Sequence, residues 1–217
     1  MLEIVVLAAL AGFILFRLFS VLGRHDESAE PQQPIARQAN TPPQASNVVP
    51  LEGLSRPPLV LPEDLNDTAR SGLEDIAEAD PLFDPAAFVE GASAAYRMVL
   101  EAFWSGDKTA LKELVSDDIY EDFTAAIDAR EGDAMSYDNR LENIADARIL
   151  GAELRGLMAE ITVQFDADLI TVTRDEKGDI VAGSETDATE THDVWTFSRH
   201  LGSNDPAWLL IETDGAE

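Results

Sequence analysis

Ala159-Glu-Ile-Thr-Val-Gln-Phe-Asp-Ala-Asp-Leu169 alternates apolar and polar side chains without a break. Successive side chains of an extended chain point to opposite faces, so this period of two predicts a strand. Ala159, Ile161, Val163, Phe165, Ala167 and Leu169 take its buried face, while Asp166 and Asp168 fall on the opposite face, toward solvent. Downstream, Arg174-Asp-Glu-Lys-Gly-Asp179 predicts a hairpin turn in which Gly178 supplies the positive φ. Thr189–Arg199 and Trp208–Thr213 complete the strands, and Asn204-Asp205-Pro206 bends the chain between them. Upstream, the period of two is expected to begin after Arg140.

Before that point the spacing is helical. Leu65, Ala69, Leu73 and Ile76 mark a short amphipathic helix that ends near Asp80-Pro81. Pro85 to Ser105 is the strongest helix, with Phe88, Ala92, Ala95, Val99, Ala102 and Phe103 along one stripe. Gly91, Ala92, Ala94 and Ala95 keep it slim, which predicts close packing on a neighbour. Gly106 reads as its stop and Asp107 as the N-cap of the next helix, which turns Leu111, Leu114 and Val115 inward. Ser116-Asp117-Asp118 then opens a helix carrying Ile119, Tyr120, Phe123 and Ile127; its carboxylates suit the positive end of the helix dipole. Helices followed by antiparallel strands around one core define an α+β fold.

The N-terminal part is built differently. Ile4 to Leu22 is an apolar run of 19 residues whose one charge is Arg17. At helical rise it is about 28 Å long, the thickness of a bilayer's hydrocarbon core. Glu3 stands where a cleaved signal would carry a basic residue, and no small-x-small cleavage site lies between the end of the apolar run and Arg24, so an uncleaved anchor is the better reading. Arg17 and Arg24 act as interface anchors, and by the positive-inside rule they place the body of the protein in the cytoplasm. Eight of the eleven prolines fall between His25 and Pro62, among Gln, Ser and Asn, which reads as a flexible linker. Within it, Val48 to Leu61 is greasier than a spacer requires, as a docking motif or a linker end packed on the domain would be. The expected organisation is an anchor over 1–24, a linker over 25–63 and one domain over 64–217.

Charge excludes some partners. The chain carries a formal net charge of −27: residues 1–24 hold +1, residues 25–68 hold −5 and the remaining −23 falls on the domain. Such a surface repels phosphate backbones and anionic lipid, so no nucleic-acid partner is expected. There is no cysteine, and His25, His192 and His200 lack the spacing of a metal-binding helix, so no metal site is expected. No glycine-rich phosphate cradle is present and no cofactor is expected.

The run Phe83-Asp84 … Phe88 … Gly91-Ala92 … Tyr96 … Phe103-x-x-Gly106-Asp107 … Leu111 carries a further signal. So does Asp193-Val194-Trp195-Thr196-Phe197-x-Arg199 … Asp205-Pro206-x-Trp208-x-Leu210. Together these motifs resemble the C-terminal domain of the Tim44-like family, the inner-membrane adaptors of mitochondrial protein import and their bacterial relatives. The resemblance runs from about Leu65 to Thr213. It implies a cystatin-like or nuclear-transport-factor-like cone: helices laid on a curved antiparallel sheet around an apolar groove. It also implies a non-enzymatic scaffold at an inner membrane, which for this chain means a single-pass protein of a bacterial inner membrane. Protein partners are expected but unidentified, and contact with a chaperone or translocon rests on the resemblance alone.

Folds of this kind also host acid–base enzymes, so Tyr96, Asp166, Asp168, His192 and Asp193 have to be weighed. In a regular strand Asp193 shares a face with Trp195, Phe197 and Arg199, and an Asp193–Arg199 ion pair or a strand-end contact accounts for it without catalysis; no catalytic residue is expected. The remaining site candidates are Phe88, Tyr96, Trp104, Trp195, Phe197 and Trp208. They serve either as core or as the lining of a groove that grips an apolar partner segment or a lipid chain. The leading expectation is a membrane-anchored adaptor that presents a protein-binding domain; the alternative is a carrier of lipid or a small apolar ligand.

Overall fold

The structure is a computed structural model that describes residues 59–131 and 135–215. The expected anchor with Arg17 and Arg24, and the expected linker up to residue 58, lie outside the described residues. Among the described residues no helix is long and apolar enough to cross a membrane. Within the described chain, α1 (Asp67–Ala79), α2 (Pro85–Ser105), α3 (Lys108–Leu114) and α4 (Asp117–Glu131) come first. They are followed by β1 (Ser136–Arg155), β2 (Met158–Arg174), β3 (Ile180–Gly183), β4 (Thr189–His200) and β5 (Leu209–Gly215).

Local chemistry sets the helix ends. The Asn66 side chain accepts from the Ala69 N–H, and Asp84 accepts from the N–H groups of Ala86 and Ala87 with Pro85 as the first helical residue. Gly106 ends α2 in the left-handed region at φ 73°, where a side chain is disfavoured, and Asp107 caps α3. Arg130 at the end of α4 donates to the carbonyls of Phe103 and Trp104 at 2.9 and 3.1 Å, satisfying the last turn of α2.

The sheet runs in the order β1-β2-β4-β5, all antiparallel, with β3 paired to the far end of β2. Ala159, Ile161, Val163, Phe165 and Ala167 are fully buried on the inner face, where Tyr96, Val99, Leu73 and Ile76 meet them. Each such Phe, Leu or Ile contributes about 1.5–3 kcal/mol relative to exposure. At Leu169 the alternation slips: Ile170 and Val172 are the buried residues beyond it.

β1 begins at Ser136, earlier than the sequence pattern suggests, and runs for 20 residues. Its register against β2 shifts three times, after Leu141, Ile144 and Ile149. Each bulge adds an unpaired residue, bends the strand and reverses the alternation. That is why β1 is silent as a pattern while β2 is plain. α1 lies along β1: Asn66 Nδ2 donates to the Leu150 carbonyl at 2.9 Å, which covers part of an otherwise bare sheet edge. Gly72 makes the approach possible, because a Cβ there would sit 1.9 Å from the Ala152 carbonyl oxygen. At the other edge the Ser116 N–H donates to the Leu210 carbonyl at 2.8 Å, tying the α3–α4 junction to β5. Leu61 and Leu65 also pack on the main core, so ordered packing starts within the segment expected to be linker.

Candidate functional site

At one end of the domain the helices and the sheet do not close. The gap is a groove of about 540 Å³. Its floor is the N-terminal half of α2, where Ala87, Gly91 and Ala95 recur about one helical turn apart beside Phe88, with Met98 beyond them. Leu82 and Phe83 of the α1–α2 loop form one wall, and Phe197 with Pro206-Ala207-Trp208 another. Glu113 and Leu114 of α3 complete the rim.

A chain of rings links this groove to the core. Phe88 lies 4.8 Å from Trp208 and 6.1 Å from Phe197, both edge-on. Phe197 continues to Phe165 at 6.5 Å, which stacks on Tyr96 at 4.5 Å. Aromatic pairs in such arrangements add about 0.5–1.5 kcal/mol beyond their buried area. The groove floor is therefore held on a rigid base.

One ion pair braces the mouth. Arg199 Nη1 lies 3.1 Å from Asp80 Oδ2, both side chains being largely buried. The guanidinium also sits 6.0 Å from the Trp208 ring, and its Nε is buried without a hydrogen-bond acceptor. Asp80 accepts from the Leu82 N–H at 3.1 Å as well, which fixes the loop that holds Leu82 out, 92% exposed. The expected Asp193–Arg199 pair does not form. Asp193 instead accepts from the Tyr96 hydroxyl at 2.6 Å and from Thr191 at 3.3 Å, because its position on β4 faces Tyr96 across the core. Burial above all, and then the Asp193 carboxylate, push the Tyr96 phenol far above its ordinary pKa and keep it protonated.

Of the six residues singled out by sequence, Phe88, Phe197 and Trp208 line the groove. Tyr96 and Trp195 are packed in the core and do not line it. Trp104 is half-buried at the last turn of α2, where its carbonyl accepts from Arg130. The sequence reading did not mark Leu82, Met98 or Glu113 as lining, nor that Asp80 and Arg199 pair, since only folding brings these together.

The other acidic candidates lie on the outer sheet face. Asp166 accepts from His192 Nδ1 at 2.8 Å, Gln164 Nε2 at 2.9 Å and Arg148 Nη1 at 3.0 Å. It was expected simply to face solvent; the network leaves its side chain only 17% exposed. The His192 hydrogen bond, then that of Gln164, lowers the Asp166 pKa, and the same bond to Asp166 raises that of His192. This is a cross-strand brace on β1, β2 and β4, away from the groove.

Comparison with known proteins gives this geometry a context. A family model described as "Tim44-like domain" matches residues 69–215. The mitochondrial import inner membrane translocase subunit TIM44-1 of Arabidopsis thaliana is 26% identical over 148 residues, covering 65% of this chain and 31% of the relative. The human subunit TIM44 is 24% identical over 143 residues, covering 64% and 32%. The chain thus spans about a third of the length of these relatives. Among solved structures, the intermembrane space region of the chloroplast protein ARC6 aligns with a TM-score of 0.38 at 12% identity, over 58% of this chain and 95% of that one.

Proposed function

Since the chain belongs to the Tim44-like domain family, we propose that it is a membrane-anchored adaptor, not an enzyme, whose groove holds protein partners at a bacterial inner membrane. The observation that carries this reading is an open apolar groove at one end of a domain that the family match covers almost completely. The relatives' names, subunits of an inner-membrane translocase, support a place in protein traffic at such a membrane. Four of the five acid–base candidates are committed elsewhere: Tyr96 and Asp193 to each other, Asp166 and His192 to a brace on the outer face. The apolar run Ile4–Leu22 supplies the anchor and the proline-rich stretch the leash, with the domain on the cytoplasmic side.

Attachment and orientation are tested together. The full chain is expected to stay with membranes through alkaline extraction, and its domain to be digested by protease in inside-out vesicles. Extraction into the soluble fraction would sink the anchor; full protection in such vesicles would reverse the orientation. The groove volume also lies in the range of small-ligand sites, which favours the carrier reading. Native mass spectrometry of the purified chain separates the two, since a carrier retains a stoichiometric apolar ligand and an adaptor does not.

A further inference from the structure

β1 is the outermost strand of the sheet, and most of its outer edge is bare. From Asp138 to Ile149 no backbone among the described residues pairs with that edge. Beyond it α1 takes over, through the Asn66 contact at Leu150 and the close approach of Gly72 to Ala152. The opposite edge of the sheet is tied down at Leu210 of β5. A long bare edge is a template for another strand, and proteins usually guard one with Lys or Pro. β1 contains neither residue.

The charges along this edge are self-complementary. Asp138, Arg140, Asn143, Asp146 and Arg148 lie opposite every second residue of β2, from Val172 back to Gln164. The five side chains therefore share one face of the sheet at even steps. Along the strand this face runs acid, base, amide, acid, base. A second copy laid antiparallel about Asn143 sets Asp138 opposite Arg148 and Arg140 opposite Asp146, each twice. The bulges preserve the match. One register shift lies between Arg140 and Asn143 and one between Asn143 and Asp146, so both arms keep the same length. Sliding the copy by two residues either way puts Arg140 opposite Arg148 or Asp138 opposite Asp146, so the charges select one register.

Within one chain these groups make largely exposed contacts: Arg140 with Glu142 and the Glu185 carbonyl, Arg148 with Asp146 and Asp166. Exposed ion pairs are worth about 0–1 kcal/mol, so they exchange readily for pairs across an interface. The acidity of the domain opposes chance contact between copies, which favours a contact of matched charge over any other.

We infer that the chain self-associates through β1, two copies pairing antiparallel about Asn143 to form one continuous sheet. No β1 residue lines the groove, so this contact stands apart from the adaptor reading.

The chain has no cysteine, so single cysteines report the contact without background. Residues on the two-fold axis of an antiparallel pair lie about 4.5–5.5 Å apart, within disulfide reach. Asn143→Cys in the full chain, held in its membrane, is expected to give a disulfide-linked dimer on mild oxidation. Asp138→Cys on the same edge should not, because the two copies of residue 138 would lie about 27 Å apart along the paired strands. In the Asn143→Cys background, Arg140→Glu faces Asp146 of the second copy and should cut the dimer yield at least about fivefold. Adding Asp146→Arg restores opposite charges and should recover the yield, which also shows that the loss was not misfolding. Equal crosslinking from positions 138 and 143 would reveal random collision of neighbouring copies and overturn the inference. So would a crosslink at 143 that ignores Arg140→Glu, or no crosslink at 143 at all.

Discussion

Two faces of α2 end in different situations. One is sealed: Phe88, Ala92, Tyr96 and Val99 are buried in the core. The adjacent face carries Ala87, Gly91, Ala95 and Met98 along an open groove. The contrast is sharpest between two helical glycines. Gly72 on α1 is needed because the Ala152 carbonyl touches it, whereas Gly91 touches nothing. One glycine serves the fold and the other leaves room for something outside it. Stability and binding are therefore expected to respond to different substitutions.

The largest effect should come from the sealed side, where β2 meets the buried face of α2. Phe165→Ala removes the ring stacked on Tyr96 and is expected to cost about 3–5 kcal/mol in denaturant unfolding. A loss under about 1 kcal/mol would mean that the sheet's inner face is not the core. Gly72→Ala drives a methyl into backbone that cannot rotate away, and about 1–3 kcal/mol of destabilisation is expected. The same change at Gly91 should do the reverse, stabilising by about 0.5–1 kcal/mol. If thermal melts show both glycine variants moving in one direction, the sealed/open contrast is wrong.

The smallest effect lies on the outer face. His192 should titrate by NMR above the ordinary histidine value of 6.5, and return toward it in Asp166→Asn. The sign follows from linkage. The raised His192 contributes stability that is present below its unfolded pKa and is lost as pH rises through the folded one. The lowered Asp166 contributes stability present above its unfolded pKa, lost as pH falls through the folded one. An unmoved His192 titration in Asp166→Asn would dissolve the brace.

The helices were legible because caps and periodicity agree: Asp84, Pro85 and Gly106 bound α2 where its apolar stripe begins and ends. β2 was legible through its unbroken alternation. β1 was not, because three bulges scramble its phase, and neither was the slip in β2 at Leu169. For the site, the large aromatic residues Phe88, Phe197 and Trp208 signalled apolar surface, yet nothing in their spacing separates groove from core. Tyr96 and Trp195 carry the same signal and are core. The small residues of α2 read as permission for close packing, and the structure leaves that face without a neighbour at Gly91. The Asp80–Arg199 brace joins residues far apart in sequence, so no local pattern announces it.

The central claim is that the open face of α2 is where a protein partner sits. A photocrosslinking residue placed at Gly91 of the full chain in its native membrane, against one at exposed Thr171 on β2, tests it most directly. The account predicts discrete protein adducts from position 91 that are absent from position 171. Lipid adducts alone from position 91, or the same adducts from both positions, would contradict it.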